Sequence, residues 1–155
     1  MATRANAIHV DSAVWVIDQL KQIYINAELQ PMEAGTWYAK VARRDYSIAI
    51  NVTGLSVDNP DVNFYENYGC GSQRNYSDYC LAELERMVDR QSSETDPRVR
   101  LKLVNAIDLQ LQLDGARPIL RHRLAYTAYY RYVRNFINHQ SVYNNFRFQE
   151  VWLNK

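Results

Sequence analysis

The spacing of hydrophobic residues alternates between helical and strand-like periods over the first third of the chain. A helix capped by Asp11 or Ser12 is predicted from one apolar stripe, formed by Ala13, Val16, Ile17, Leu20, Ile23 and Tyr24. Residues 27–30 and 46–52 alternate as half-buried strands do, and residues 33–44 between them have helical spacing. With residues 5–10 as a possible first strand, this order of strands and helices predicts a largely parallel sheet.

Regular spacing is lost over residues 53–79, which are rich in Gly, Asn, Asp and Tyr. Structureless loops longer than about 12–15 residues are uncommon in compact domains unless they have a function. We therefore expect a binding site in this segment.

Helical spacing returns after the long loop. One helix is predicted from the stripe Leu81, Leu84 and Val88. Asp96-Pro97 is a cap followed by a proline, which predicts a second helix that ends at Leu113, just before Gly115. Residues 117–122 and 126–132 are predicted strands, whereas residues 135–155 have no clear period.

The composition is that of a folded chain with an excess of tyrosine. Of the 155 residues, 47% are hydrophobic and 23% charged, which excludes a disordered chain and predicts one domain with a proper core. Twelve tyrosines favour surfaces that are partly core and partly binding face. No segment approaches the roughly 20 apolar residues of a membrane span, and residues 1–10 lack the apolar run of a signal peptide. We expect either a cytosolic protein or a piece of a longer one.

Charge is distributed unevenly although the net charge is only +1. Residues 53–96 hold nine acids and three bases, whereas residues 115–149 hold six arginines, five tyrosines and no acid. Because arginine and aromatic rings together hold single-stranded nucleic acid, one hypothesis is a stand-alone nucleic-acid-binding module in residues 117–134. It would use Arg121, Arg123, Tyr129, Arg131 and Arg134. The near-neutral total favours the other hypothesis, in which the basic strands face acidic helices or a missing part of the protein.

Few motifs indicate catalysis or metal binding. The histidines have no metal-ligand spacing, and the chain contains no nucleophile elbow, P-loop or dinucleotide loop. Asp58 and Asp61 could be the paired acids of a hydrolase, but an aspartate beside Asn-Pro is more often a turn former. No metal or general base accompanies them. We expect a protein without enzyme activity, cofactor or metal.

The two cysteines, Cys70 and Cys80, leave alternatives open. They are either unrelated buried thiols or a disulfide that closes a small loop, and a disulfide would suit an oxidising compartment. Zinc would need four ligands, and no C-x-x-C pair or neighbouring histidine supplies them.

Six segments follow the order of one known family pattern through nearly the whole chain. They are AVWVIDQLK at 13–21, WY at 37–38, DNPDVNFYENY at 58–68, CGS at 70–72, NYSDYC at 75–80 and FQEVWL at 148–153. Together they resemble the peptide-type (family 5) solute-binding proteins of bacterial ABC importers. Members of that family are several hundred residues long, so the resemblance implies that this chain is only their C-terminal portion.

The resemblance implies an α/β fold and a transport function. The chain would form the C-terminal lobe of a two-lobed periplasmic-binding-protein fold, with a small, mostly parallel sheet flanked by helices. Residues 5–134 would be the lobe, including a cleft loop at 53–79, and residues 135–155 would return towards the other lobe. The two lobes would close on a peptide or similar small solute in the periplasm and present it to a membrane permease. Exposed tyrosines predict that the isolated chain self-associates.

The resemblance also implies functional residues. In relatives that bind peptides, an aspartate after the position of Gly54 fixes the terminal amine. Asp58 is the candidate for that role here, and Leu55 is the alternative occupant of the position. The expected ligand-binding residues are Thr53, Gly54, Asp58, Asp61 and Asn63. Some family members have a disulfide in the corresponding loop, so the resemblance implies a bond between Cys70 and Cys80.

Overall fold

A computed structural model describes residues 1–54, 57, 59–122, 126–138 and 148–155. The chain forms two compact units, Met1–Thr53 and Gly54–Lys155. Helices and small sheets are combined in it, as expected for the α/β class. Among the described residues, no helix has both the length and the apolar character needed to cross a membrane.

The first unit is built on a short parallel ladder. Strand β1 (Ala2–Arg4) pairs in parallel with β2 (Gln30–Met32), and on its other side Ala2 forms a parallel bridge with Ala49. The predicted parallel pairing is therefore confirmed, although the one pairing of residues 46–52 with another described segment is this bridge. Pro31 is tolerated in β2 because a strand with one paired neighbour can spare an N–H group.

Two helices connect the paired segments of this unit. Helix α1 (Ala7–Lys21) begins earlier than predicted, because the side chain of Asn6 accepts a hydrogen bond from the backbone of His9 and caps the helix there. Residues 5–10 are therefore not a strand. Helix α2 (Ala34–Ala42) agrees with the prediction for residues 33–44, and it buries Trp37 completely.

In the described part of the second unit, three helices surround one apolar core. Helices α4 (Ala82–Ser93) and α5 (Pro97–Leu113) agree with the sequence prediction. Helix α3 (Pro60–Tyr68) lies in the segment that was predicted to be irregular, and Asn59 caps it by accepting from the backbone N–H of Asp61. The core consists of Phe64, Tyr68, Leu84, Val88, Ile107, Leu111 and Ala116.

The prediction of two strands after α5 is wrong. Residues 117–122 and 126–132 have no strand, and the pairing that forms is antiparallel, between β3 (Val133–Arg134) and β4 (Trp152–Leu153). Within residues 126–132, Tyr130 and Tyr132 instead form a stacked pair with ring centroids 5.2 Å apart.

A disulfide joins Cys70 to Cys80, as the resemblance implied. The loop that it closes is organised by Asn75, which is only 3% exposed. The Nδ2 of Asn75 donates to the carbonyl oxygens of Gly69 (3.0 Å) and Tyr79 (2.7 Å). Burial and a hydrogen bond to Asp114 raise the pKa of Tyr79 to about 12. The loop therefore has an internal framework in addition to its covalent closure.

Removing the disulfide should lower the free energy of unfolding by about 3 kcal/mol, because an open loop gains entropy in the unfolded chain. The measurement is urea unfolding of the chain and of a Cys70→Ser/Cys80→Ser variant, each with and without reductant. Reductant should destabilise the parent chain and leave the variant unchanged. Two alkylatable thiols in the unreduced, denatured chain would contradict the bond.

His9 is a buried histidine with an incomplete set of partners. The side chain is 5% exposed. Its Nδ1 lies 2.5 Å from Oδ1 of Asn6, and its Nε2 is buried without a hydrogen-bond partner among the described residues. Burial, with a smaller contribution from the charge of Arg4, lowers the pKa of His9 below 6.5. The imidazole is therefore held in its neutral form.

This lowered pKa makes the stability of the chain depend on pH. The unfolded chain binds a proton at His9 more readily than the folded chain, so the stabilising contribution is complete above pH 6.5 and is lost as pH falls through the folded-state pKa. We expect unfolding free energies at pH 7 and pH 5.5 to differ less in His9→Asn, which keeps a donor for Asn6. An equal difference in both proteins would refute this assignment.

Candidate ligand-binding edge

The carboxyl ends of the paired segments in the first unit bring together an arginine, an amide and two aromatic rings. Arg4 ends β1, and Asn51 follows the bridged segment. The guanidinium of Arg4 donates to Oδ1 of Asn51 (3.1 Å) and to the hydroxyl of Tyr38 (3.2 Å). It also lies 5.2 Å from the ring centroid of Trp37 and 5.4 Å from that of Tyr38. The orientation of Arg4 is thus fixed from several sides.

Among the described residues, no carboxylate balances the charge of Arg4. Both side chains to which it donates are neutral, and no described carboxylate forms an ion pair with it. Its Nε is buried and has no hydrogen-bond partner in the described part of the chain. A partly buried cation without a counter-charge attracts an anionic group. Ligands of open parallel sheets bind at the carboxyl ends of the strands, which is where Arg4 lies.

Two of the residues predicted from the sequence come shortly after this edge along the chain. Thr53 and Gly54 follow Asn51 along the chain and are exposed. Asp58 and Leu55, the two candidates for the ammonium-binding position, lie outside the described residues, as does Arg123. Arg4, Tyr38 and Asn51 were not predicted. The position of Arg4 at the end of a strand would have identified it only if that strand had been predicted at residues 2–4.

Asp61 lies in the second unit, in a polar network that connects its three helices. One carboxylate oxygen of Asp61 accepts from the Nε2 of Gln91. The other accepts from Ser92 (3.1 Å) and from Arg100 (3.3 Å). Arg100 also donates to Asn59 (3.1 Å), the cap of α3. Because Gln91 is fully buried, we infer that this network has a structural role and holds the start of α3 against α4 and α5.

Asn63 also takes part in contacts within the second unit. Its Oδ1 accepts from the Nδ2 of buried Asn67 (2.8 Å), one turn further along α3. The Oδ1 of Asn67 in turn accepts from Arg117 (3.0 Å). The predicted site residues are therefore distributed over the two units, and Asp61 and Asn63 have internal partners.

Comparisons with known proteins show that the fold of this chain is similar to part of two solved structures. No protein-family model and no curated protein sequence matches the chain. The ABC transporter substrate-binding protein CtaP from Listeria monocytogenes matches 64% of the chain with 24% identity and a TM-score of 0.59. The ABC transporter-associated periplasmic binding protein DppA from Helicobacter pylori, solved in complex with the peptide STSA, matches 68% with 16% identity and a TM-score of 0.62.

The chain spans about a fifth of the length of these two proteins, 20% of CtaP and 22% of DppA. The α/β fold is therefore that of part of a periplasmic binding protein, which confirms the predicted fold class. Neither structure supports a nucleic-acid-binding module.

The Asp61 network should contribute strongly to stability. Asp61→Ala leaves the Nε2 of buried Gln91 without its acceptor and removes one acceptor and the counter-charge of partly buried Arg100, so we expect the free energy of unfolding to fall by about 2–4 kcal/mol. A matched control is Glu66→Ala, which removes an exposed ion pair with Arg74 and should cost no more than about 1 kcal/mol. Equal losses for the two variants in urea unfolding would contradict the structural role of Asp61.

Proposed function

We propose that this chain forms part of one wall of the ligand cleft in the substrate-binding protein of an ABC importer. The similarity in fold to two such proteins supports the class. The observation that carries the proposal is the position of Arg4 at the carboxyl edge of the parallel ladder, where no described carboxylate balances its charge. A binding role needs such a preorganised polar group, whereas no group of described residues suggests a catalytic constellation.

The proposed ligand is a peptide or a similar small solute with an anionic group. Arg4 would bind a carboxylate, because a guanidinium presents paired donors that match its two oxygens. Thr53, Gly54 and Asp58 would supply further contacts in the loop that follows, with Asp58 binding the ammonium group. Asp61 and Asn63, also expected from the sequence to bind ligand, have hydrogen-bond partners within the second unit.

The remaining parts of the proposal concern the whole protein. The whole protein would be a periplasmic solute-binding protein of the peptide-type family 5. It would have no enzyme activity and no cofactor. Residues 5–134 would belong to one lobe and residues 135–155 would extend towards the other, with a membrane permease as the partner of the closed form. The chain alone would bind solute weakly, because one wall provides only part of the contacts, and its exposed tyrosines would favour self-association.

Replacing Arg4 should weaken binding of free-carboxylate peptides. In the protein encoded by the complete reading frame, Arg4→Met should reduce affinity by roughly 10- to 100-fold through loss of charge-assisted hydrogen bonds. Binding of the same peptide with an amidated C-terminus should change little. Calorimetry with a dipeptide and tripeptide set provides the measurement.

A matched control is Arg43→Met, which removes the same charge from an exposed position after α2. That variant should bind like the parent protein. The proposal fails if the parent protein binds none of the peptides, or if both peptide forms lose affinity equally in Arg4→Met.

A further inference from the structure

A groove of about 140 Å³ lies between α3 and α4 in the second unit. Its apolar lining includes Phe64, Tyr68, Leu84 and Val88, which belong to the core of this unit. Tyr65, which is 43% exposed, also lines the groove. None of the residues assigned to the proposed cleft lines it, so it is a separate feature of the chain.

Two carboxylates of α4 also line this groove. One oxygen of Glu85 accepts from the backbone N–H of Cys70 (2.8 Å), and one oxygen of Asp89 accepts from the hydroxyl of Tyr65 (2.7 Å). These bonds fix the direction of both side chains. Within the described residues, the second oxygen of each carboxylate has no hydrogen-bond partner, and neither carboxylate forms an ion pair.

The placement of the two acids has an electrostatic cost. Glu85 and Asp89 are four residues apart on one helix, and like charges at that spacing destabilise a helix by roughly 0.2–0.5 kcal/mol. A cation between them would remove this repulsion and would use both open oxygens. The groove is therefore complementary to a side chain that has an aliphatic part and a positively charged end.

The volume of the groove limits the kind of group that can bind in it. Pockets for small-molecule ligands are commonly about 300–1,000 Å³, whereas 140 Å³ accommodates a single side chain. Arginine fits this chemistry better than lysine, because its planar guanidinium stacks on aromatic rings and donates to two acceptors at once. Arginine is also enriched among the residues that anchor protein interfaces.

We infer that the groove between α3 and α4 binds an arginine side chain presented by a partner protein. The aliphatic part would contact Leu84 and Val88, and the guanidinium would lie between Glu85 and Asp89 beside the Tyr65 ring. This interaction does not require Arg4 or the loop after Thr53. Its failure and that of the proposed solute binding are therefore independent.

The test uses the peptide acetyl-Gly-Arg-Gly-amide as the probe and its citrulline counterpart as a neutral isostere. Titration of the 155-residue chain, followed by amide chemical shifts in NMR, should give a dissociation constant on the order of millimolar for the arginine peptide. The shifts should map to Tyr65, Glu85 and Asp89. The citrulline peptide should bind at least roughly tenfold more weakly, because it lacks the charge.

Isosteric variants distinguish specific binding in the groove from general electrostatic attraction to the helix. Glu85→Gln/Asp89→Asn keeps both internal acceptors, so it should fold normally and bind the arginine peptide roughly tenfold more weakly. Glu83→Gln removes a charge from the same helix, where Glu83 pairs with Arg86, and should leave binding nearly unchanged.

Three results would overturn the inference. The first is equal binding of the citrulline peptide, and the second is an equal effect of the Glu83 and Glu85/Asp89 variants. The third is self-association that is lost in the Glu85/Asp89 variant, since the occupant would then be an arginine of a second copy of this chain.

Discussion

Parallel pairing of β1 is the constraint from which the candidate binding edge follows. A parallel pair requires a crossover, and α1 and α2 supply the connections between the paired segments. This topology places the carboxyl ends of the segments at one edge. Arg4 and Asn51 meet there because each lies at the carboxyl end of its segment, and α2 brings Trp37 against Arg4.

The geometry of the second unit depends on other interactions, namely an apolar core, a polar network and a disulfide. Its apolar core holds the three helices together, while the Asp61 and Arg100 network connects the start of α3 to α4 and α5. The disulfide and buried Asn75 then limit the loop between α3 and α4. Because α3 is held at both ends, the groove beside α4 has a defined shape and its two carboxylates have defined directions.

Long periodic segments with clear caps were predictable from the sequence. Asp96-Pro97 identified α5, and the stripe of Leu84 and Val88 identified α4. The same logic applied to Asn59-Pro60 would have found α3, but the many polar residues that follow it gave no apolar stripe. Asn6 was missed as a cap because Asp11 offered an equally good local signal, and only the ladder at residues 2–4 decides between them.

The functional residues were harder to predict, because spacing along the chain does not reveal hydrogen-bond partners. Asp61 had the sequence features of a ligand-binding acid, yet both of its oxygens accept bonds within the second unit. Arg4 had no motif around it, yet it is a partly buried cation with neutral partners. A polar side chain whose bonding capacity is met internally contributes mainly to stability, whereas one left with open capacity in a fixed orientation is available to another molecule. By this criterion Arg4, Glu85 and Asp89 differ physically from Asp61, Asn63 and Asn75, and the difference arises only when distant parts of the chain meet.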